Sequence, residues 1–190
     1  MTFDLVAIAS SSRTRIREIW CGLEAVSRPS YFLTWGWVET WLDALPASAP
    51  ITLYVARRAG APIAAFFLGA RTQWRHRVLR SRALHLNQTG FGDYDEICIE
   101  YNGMVHDGSP PPFTEIAALL PGGWDEIVLT ALDADGPVAR ALLERTLGRG
   151  ATRRRIARAV RKAGDMRGGV VGRALFAGGW LAGGFDPATD

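Results

Sequence analysis

The sequence predicts an α/β sandwich around a mixed sheet, and three observations carry that reading. Two amphipathic helices come first, a hairpin with an unbroken apolar second strand follows, and a strand, a polar turn and a helix come late. A hairpin requires antiparallel pairing while a βα unit favours a parallel neighbour, so one sheet that holds both is mixed. A length of 190 residues suits one domain plus an appendage.

Ser11 or Ser12 can cap the first helix, whose apolar residues Ile16, Ile19, Trp20 and Leu23 follow the i, i+3, i+4, i+7 spacing of one buried face. Pro29 stops it. Thr34 can cap the second, with Val38, Trp41, Leu42 and Leu45 as its stripe and Pro46 as its end. Both helices are expected to precede any strand.

Ile51, Leu53 and Val55 alternate with Thr52, Tyr54 and Ala56, R-A-G-A-P turns the chain, and Ile63 to Leu68 is almost wholly apolar. That pattern predicts an antiparallel hairpin whose second strand is covered on both faces. Further strands are expected at Ala83 to Leu86 and Glu96 to Tyr101, separated by the turn-rich N-Q-T-G-F-G-D. A helix at Phe113 to Leu120, a strand at Glu126 to Leu132, the turn D-A-D-G-P and a helix at Val138 to Leu147 complete the order.

Beyond Leu147 the composition changes, for 10 of the 21 glycines fall in residues 148–190. Ile156, Ala159, Val160 and Ala163 trace one helical face, with Arg153, Arg154, Arg155, Arg158 and Arg161 around the rest. The expected organisation is a lobe over 1–147, a basic amphipathic helix over 148–165 and a glycine-rich, disordered tail over 166–190. Glycine at that density makes ordering entropically costly.

Charge follows the same division. Residues 1–147 hold 13 Arg against 16 Asp and Glu, whereas 148–190 hold 8 Arg and one Lys against 3 Asp. The pI of about 9.2 therefore belongs to the tail, and a nucleic-acid partner for the main lobe is not expected. The Arg-rich helix reads first as a solvated face, with an acidic partner as the alternative use. An apolar share of 48% with 22% charged residues argues against global disorder or a fibrous chain.

Cys21 and Cys98 fall in segments with helix and strand patterns, which suits two buried free thiols and a reducing cytoplasm. The run Leu5 to Ala9 is too short and Asp4 too early for a signal peptide. Val170 to Phe185 contains Arg173 and five glycines, so no transmembrane segment is expected there.

Three stretches together resemble a known family. They are F-L-T-W-x-W-x-x-x-W-L after the first helix, the hairpin Y-V-A-R-R-A-G-A-P-I-A-A-F-F-L, and L-H-L-N-Q-T-G with the following D-E-I-C-I-E-Y-N-G. They resemble the N-terminal lobe of FemAB/CelD-like acyltransferases of the GNAT superfamily, over residues 20–147 and, through the basic helix, as far as Asp165. The resemblance implies a GNAT-like mixed sheet flanked by helices and transfer of an acyl group to an amine, with acyl-CoA as cofactor. Relative to the two-lobe family the chain is incomplete, as a truncated coding sequence would leave it. A separately encoded second lobe or a homo-dimer would restore the pair.

An acyl-CoA site needs backbone N–H groups at a helix start to hold the pyrophosphate. The junction Leu132-Asp133-Ala134-Asp135-Gly136-Pro137 puts two carboxylates there and removes one N–H at Pro137. It therefore gives acyl-CoA no pyrophosphate motif. Gly148 to Arg153 bears glycines but follows no strand, so its context is wrong.

Amine acylation also calls for a base and a proton donor. Asp93, Tyr94, Asp95 and Glu96, with Glu100, Tyr101 and Asn102 close behind, form the cluster with that chemistry. Asp95, Glu100 and Tyr101 are the catalytic candidates, and Trp37, Asn87, Tyr94 and Asn102 the substrate-binding ones. Each has a plainer role: a solvated strand face for the carboxylates, turn chemistry for Asn87 and Gln88, and core packing for the tryptophans. His76, His85 and His106 lack ligand spacing, so no metal site is expected.

Overall fold

In the computed structural model the described residues are 2–75, 78–95, 99–147 and the dipeptides 176–177 and 180–181. The chain opens with a strand, β1 (Asp4–Ala9), followed by helix α1 (Arg13–Ser27), a 3-10 turn at Tyr31–Leu33 and helix α2 (Trp35–Ala44). Strands β2 (Ile51–Arg58), β3 (Ala61–Arg75) and β4 (Leu79–Leu86) come next, then the short helix α3 (Gly92–Asp95). Strand β5 (Val105–His106), helix α4 (Phe113–Ala118), strand β6 (Glu126–Val128) and helix α5 (Pro137–Leu147) follow.

The expectation that both helices precede any strand is corrected by β1. It pairs antiparallel with β2 from Asp4↔Arg57 to Ala9↔Thr52, and Arg57 donates to the Asp4 carboxylate at 2.7 Å. Only Ile8 on β1 is buried, so its own apolar pattern is weak and its partner supplies the strand.

The sheet runs β1-β2-β3-β4-β6, with β5 on β3. Every pairing is antiparallel except β4 with β6, which is parallel from Ala83↔Glu126 to His85↔Val128. The fold is thus α/β with a mixed sheet.

Along β3, alternate side chains enter two different cores. Ala64, Phe66 and Leu68 pack with Phe113, Ile116, Leu129 and Val138 from the α4 and α5 side. Ala65 and Phe67 pack with Ile16, Trp20, Val38 and Leu42 from α1 and α2. This is why Ile63 to Leu68 has no polar gap, and full burial of each large side chain stabilises by about 1.5–3 kcal/mol.

Two helix ends differ from expectation. Ser12 occupies the N-cap of α1 and Thr34 that of α2, yet neither side chain caps. Thr34 Oγ1 donates back to the Tyr31 carbonyl at 2.7 Å, and Glu24 Oε2 accepts from Trp35 N at 2.6 Å. A carboxylate on α1 thereby caps α2 and fixes the angle between them.

The strand expected at Glu96 to Tyr101 is not formed over its described residues, 99–101. Tyr101 has φ 53°, a left-handed turn that an extended strand does not tolerate. The strand that pairs with β3 is instead Val105–His106. Likewise β6 ends at Val128 and Ala131 has φ 49°, so the expected strand to Leu132 is cut short, continuing as a bridge residue at Leu129 and a parallel bridge from Leu132 to Asn102.

Residues 96–98, with Glu96 and Cys98, lie outside the described residues, as do His76 and the basic helix 148–165. Of the tail, Phe176–Ala177 pairs antiparallel with Trp180–Leu181. Cys21 is half-buried rather than buried, and burial, followed by the nearby Glu24, raises its thiol pKa. No described helix is long and apolar enough to cross a membrane.

Basic groups also occur on the lobe itself. No Asp or Glu occurs between Asp43 and Asp93, and β3 and β4 run on past the other strands as a ribbon carrying exposed Arg71, Arg80 and Arg82 beside Trp74. The lobe's net charge is still negative, 13 Arg against 16 Asp and Glu over 1–147.

Candidate functional site

At the end of β4 the chain leaves β3 and crosses over Gly69. A Cβ at Gly69 would lie 2.1 Å from the Gln88 carbonyl oxygen and 2.6 Å from Thr89 Cα, so only glycine admits this crossing. The backbone of Asn87 still reaches β3, its N–H donating to the Phe67 carbonyl at 2.9 Å, while Phe67 N donates to Asn87 Oδ1 at 2.8 Å.

Asn87 Nδ2 donates to Asn102 Oδ1 and to the Gly103 carbonyl, both at 2.7 Å. Asn102 Nδ2 donates to the carbonyls of Leu86 at 2.9 Å and Thr130 at 3.2 Å. The two amides form a clasp across the diverging ends of β4 and β6. Asn87 is 2% exposed and Asn102 1%, and every N–H of both side chains has a protein acceptor. Neither retains a donor for a substrate, and the adjoining Gln88 Oε1 accepts from Thr130 Oγ1 at 2.7 Å.

The segment Asn87-Gln88-Thr89-Gly90-Phe91-Gly92 runs from a strand into a helix, which makes it a second strand-to-helix turn with glycines. Its amides point at an anion, but that anion is internal. Asp95 Oδ1 accepts from Thr89 N at 2.8 Å and Thr89 Oγ1 at 2.9 Å, and Asp95 Oδ2 accepts from Gly90 N at 2.7 Å. Gly90 itself has φ 84°, and a Cβ there would meet the His85 ring at 2.7 Å. Arg71 donates to the Gly90 carbonyl and stacks over Phe91 at 4.7 Å.

The catalytic candidates are not brought together. Asp95 is committed to the Thr89–Gly90 turn, Glu100 is exposed, and Tyr101 is exposed with its carbonyl accepting from Ser30 Oγ at 3.3 Å. No hydrogen bond joins the three among the described residues.

Two other candidates do converge. Trp37 and Trp41 are one helical turn apart on α2, and with Thr40, Ala44 and Leu45 they line one side of a cavity of about 280 Å³. Asp93 and Tyr94 from α3 line the other. Trp37 is braced edge-on by Phe32 at 4.9 Å and packs on Tyr31 at 5.7 Å, while Trp41 stands edge-on to Phe67 at 5.6 Å. Each indole therefore both packs and lines, so core packing and a cleft wall are joint roles of the same rings. Trp35, Val38 and Leu42 are the buried stripe.

Thr40 is not among the site residues that the sequence suggests, Trp41 falls there on the packing stripe, and Asp93 stands in the acidic cluster without being chosen from it. The spacing of Trp37 and Trp41 at i, i+4 signals their shared face, whereas nothing local brings α3 against α2. A second cavity of about 190 Å³, between α1 and α2, is lined by Arg13, Arg17, Glu39 and Asp43 among others. Its charges offset one another, and Arg13 is held by the Leu42 carbonyl and by Asp43 at 3.7 Å.

At the start of α5, Asp133 turns inward as a local acceptor. Its Oδ1 accepts from Asp135 N at 3.1 Å and its carbonyl from Gly136 N at 3.0 Å. On β5, His106 Nδ1 accepts from Gly108 N at 3.0 Å. Burial lowers the His106 pKa, with Arg140 adding to the effect and Asp107 opposing it. No group of three or more His, Cys, Asp or Glu among the described residues is arranged to hold a metal ion. No protein-family model, curated protein or solved structure matches this chain.

Proposed function

We propose that the chain is the N-terminal lobe of a FemAB/CelD-like N-acyltransferase of the GNAT superfamily, and that it serves the acceptor amine and does not hold the acyl donor. The observation that carries the donor half of this reading is the Asp95 carboxylate seated on the Thr89 and Gly90 amides. A pyrophosphate has the same claim on such amides, and it would have to displace a covalently tethered carboxylate to reach them. The start of α5 is no better, with Asp133 and Asp135 beside it and no N–H at Pro137.

Further support comes from the architecture. A mixed sheet flanked by helices is what the resemblance implies. An acyl-CoA site would then belong to a second lobe or to a second copy of the chain, and the aromatic cleft between α2 and α3 is the side left for an acceptor.

Calorimetric titration with acetyl-CoA tests the reading. The isolated chain is expected to give no saturable heat, and micromolar binding would overturn the assignment of the donor elsewhere. Light scattering after size exclusion reports whether two copies assemble. Continuation of the family pattern in the downstream coding DNA, in any frame, tests the two-lobe ancestry.

A further inference from the structure

We infer that the cavity between α2 and α3 is a binding site for an organic ammonium carried on a short apolar stem. Trp37, Trp41 and Tyr94 supply aromatic walls, and Ala44 and Leu45 an apolar floor. Asp93 is the one charged group of the lining among the described residues. Its carboxylate is exposed and makes no hydrogen bond or ion pair among the described residues, so none of them neutralises its charge.

Of the other polar groups, Trp37 Nε1 is a buried donor with no hydrogen-bond partner among the described residues, while Thr40 favours a cation. Thr40 Oγ1 spends its proton on the Gly36 carbonyl at 2.8 Å, which leaves it only acceptor capacity toward the cavity. Aromatic faces are negative and attract an ammonium, more so where water is partly excluded. An anion would meet the Asp93 carboxylate. A neutral chain would fill the volume but leave Asp93 without a counter-charge.

The size sets the ligand class. About 280 Å³ lies at the small end for ligand sites, room for an amino group with a few carbons and not for a nucleotide. In naming this ligand the acceptor, the inference rests on the reading above; the ammonium preference itself stands on the lining.

The full chain is titrated with hexylammonium, 1-hexanol and hexanoate, without any acyl donor, by calorimetry and tryptophan fluorescence. Hexylammonium is expected to bind saturably at one site per chain, hexanol about tenfold more weakly, a difference of about 1.4 kcal/mol, and hexanoate not at all. Asp93→Asn, checked for an unchanged melting temperature, is expected to erase the preference for hexylammonium over hexanol, and Tyr94→Ala to weaken both. Absence of saturable hexylammonium binding, equal affinity for hexanol, or an unaltered preference in Asp93→Asn overturns the inference. Acetyl-CoA binding in the separate titration would overturn the donor assignment and leave this result standing.

Discussion

Asn102→Ala separates a structural amide from a ligand-binding one. The substitution removes two donations, to the carbonyls of Leu86 and Thr130, and the acceptor of Asn87 Nδ2. At roughly 1 kcal/mol for each buried bond, the loss is about 3 kcal/mol. That is a large part of the roughly 5–15 kcal/mol that holds a domain together.

Asn102→Asp sharpens the test. It keeps the shape and the acceptor, but at neutral pH it sets a buried carboxylate oxygen against two carbonyl oxygens. Burial and those acceptors raise its folded pKa above the unfolded value of about 3.9. A raised folded pKa means that the protonated form is the one the fold favours, so stability is greatest below the unfolded pKa and falls as pH rises through the folded value. Urea denaturation followed by tryptophan fluorescence, extrapolated to water at several pH values, gives both numbers. A cost below about 1 kcal/mol for Asn102→Ala, or a deficit of Asn102→Asp relative to wild type that does not grow with pH, would refute the clasp.

Three further outcomes follow from named contacts. Gly69→Ala drives a methyl group into the Gln88–Thr89 backbone and is expected to cost roughly 3 kcal/mol in the same urea assay. Asp95→Ala frees three donors at Thr89 and Gly90 and is expected to destabilise by about 2 kcal/mol, with Asp95→Asn milder because one acceptor remains. His106, with its folded pKa lowered by burial, contributes stability present above its unfolded pKa of about 6.5 and lost as pH falls through the folded value. His106→Asn, measured by thermal melts across that window, is expected to flatten this slope.

The elements most legible in the sequence are those whose signal is local. Ile63 to Leu68 announced a strand covered on both faces, and Ile16, Trp20 and Leu23 announced the buried face of α1. β1 was not legible, because one buried residue in six makes no period and its partner lies some fifty residues away. The alternation that ends in Ile99 and Tyr101 suggests a strand, whereas over 99–101 the backbone is decided by the left-handed Tyr101 and by the clasp of Asn102 to Asn87. Composition could show neither. Within the site, Trp37 and Trp41 were readable from helical spacing, and Tyr94 only as a residue type. Its place opposite them depends on how the loop after β4 is folded.

That loop divides the labour of three adjacent residues. Asp95 turns inward to the Thr89 and Gly90 amides, while Asp93 and Tyr94 face α2 across the cavity. A helix of four residues has too few internal hydrogen bonds to hold a position by itself, so the Asp95 contacts and the crossing over Gly69 are what fix it. The carboxylate that closes the amide cradle to an outside anion is thus also the anchor that sets Asp93 and Tyr94 opposite the tryptophans. The occupied amide cradle and the placing of Asp93 and Tyr94 across from the tryptophans are two consequences of one local fold.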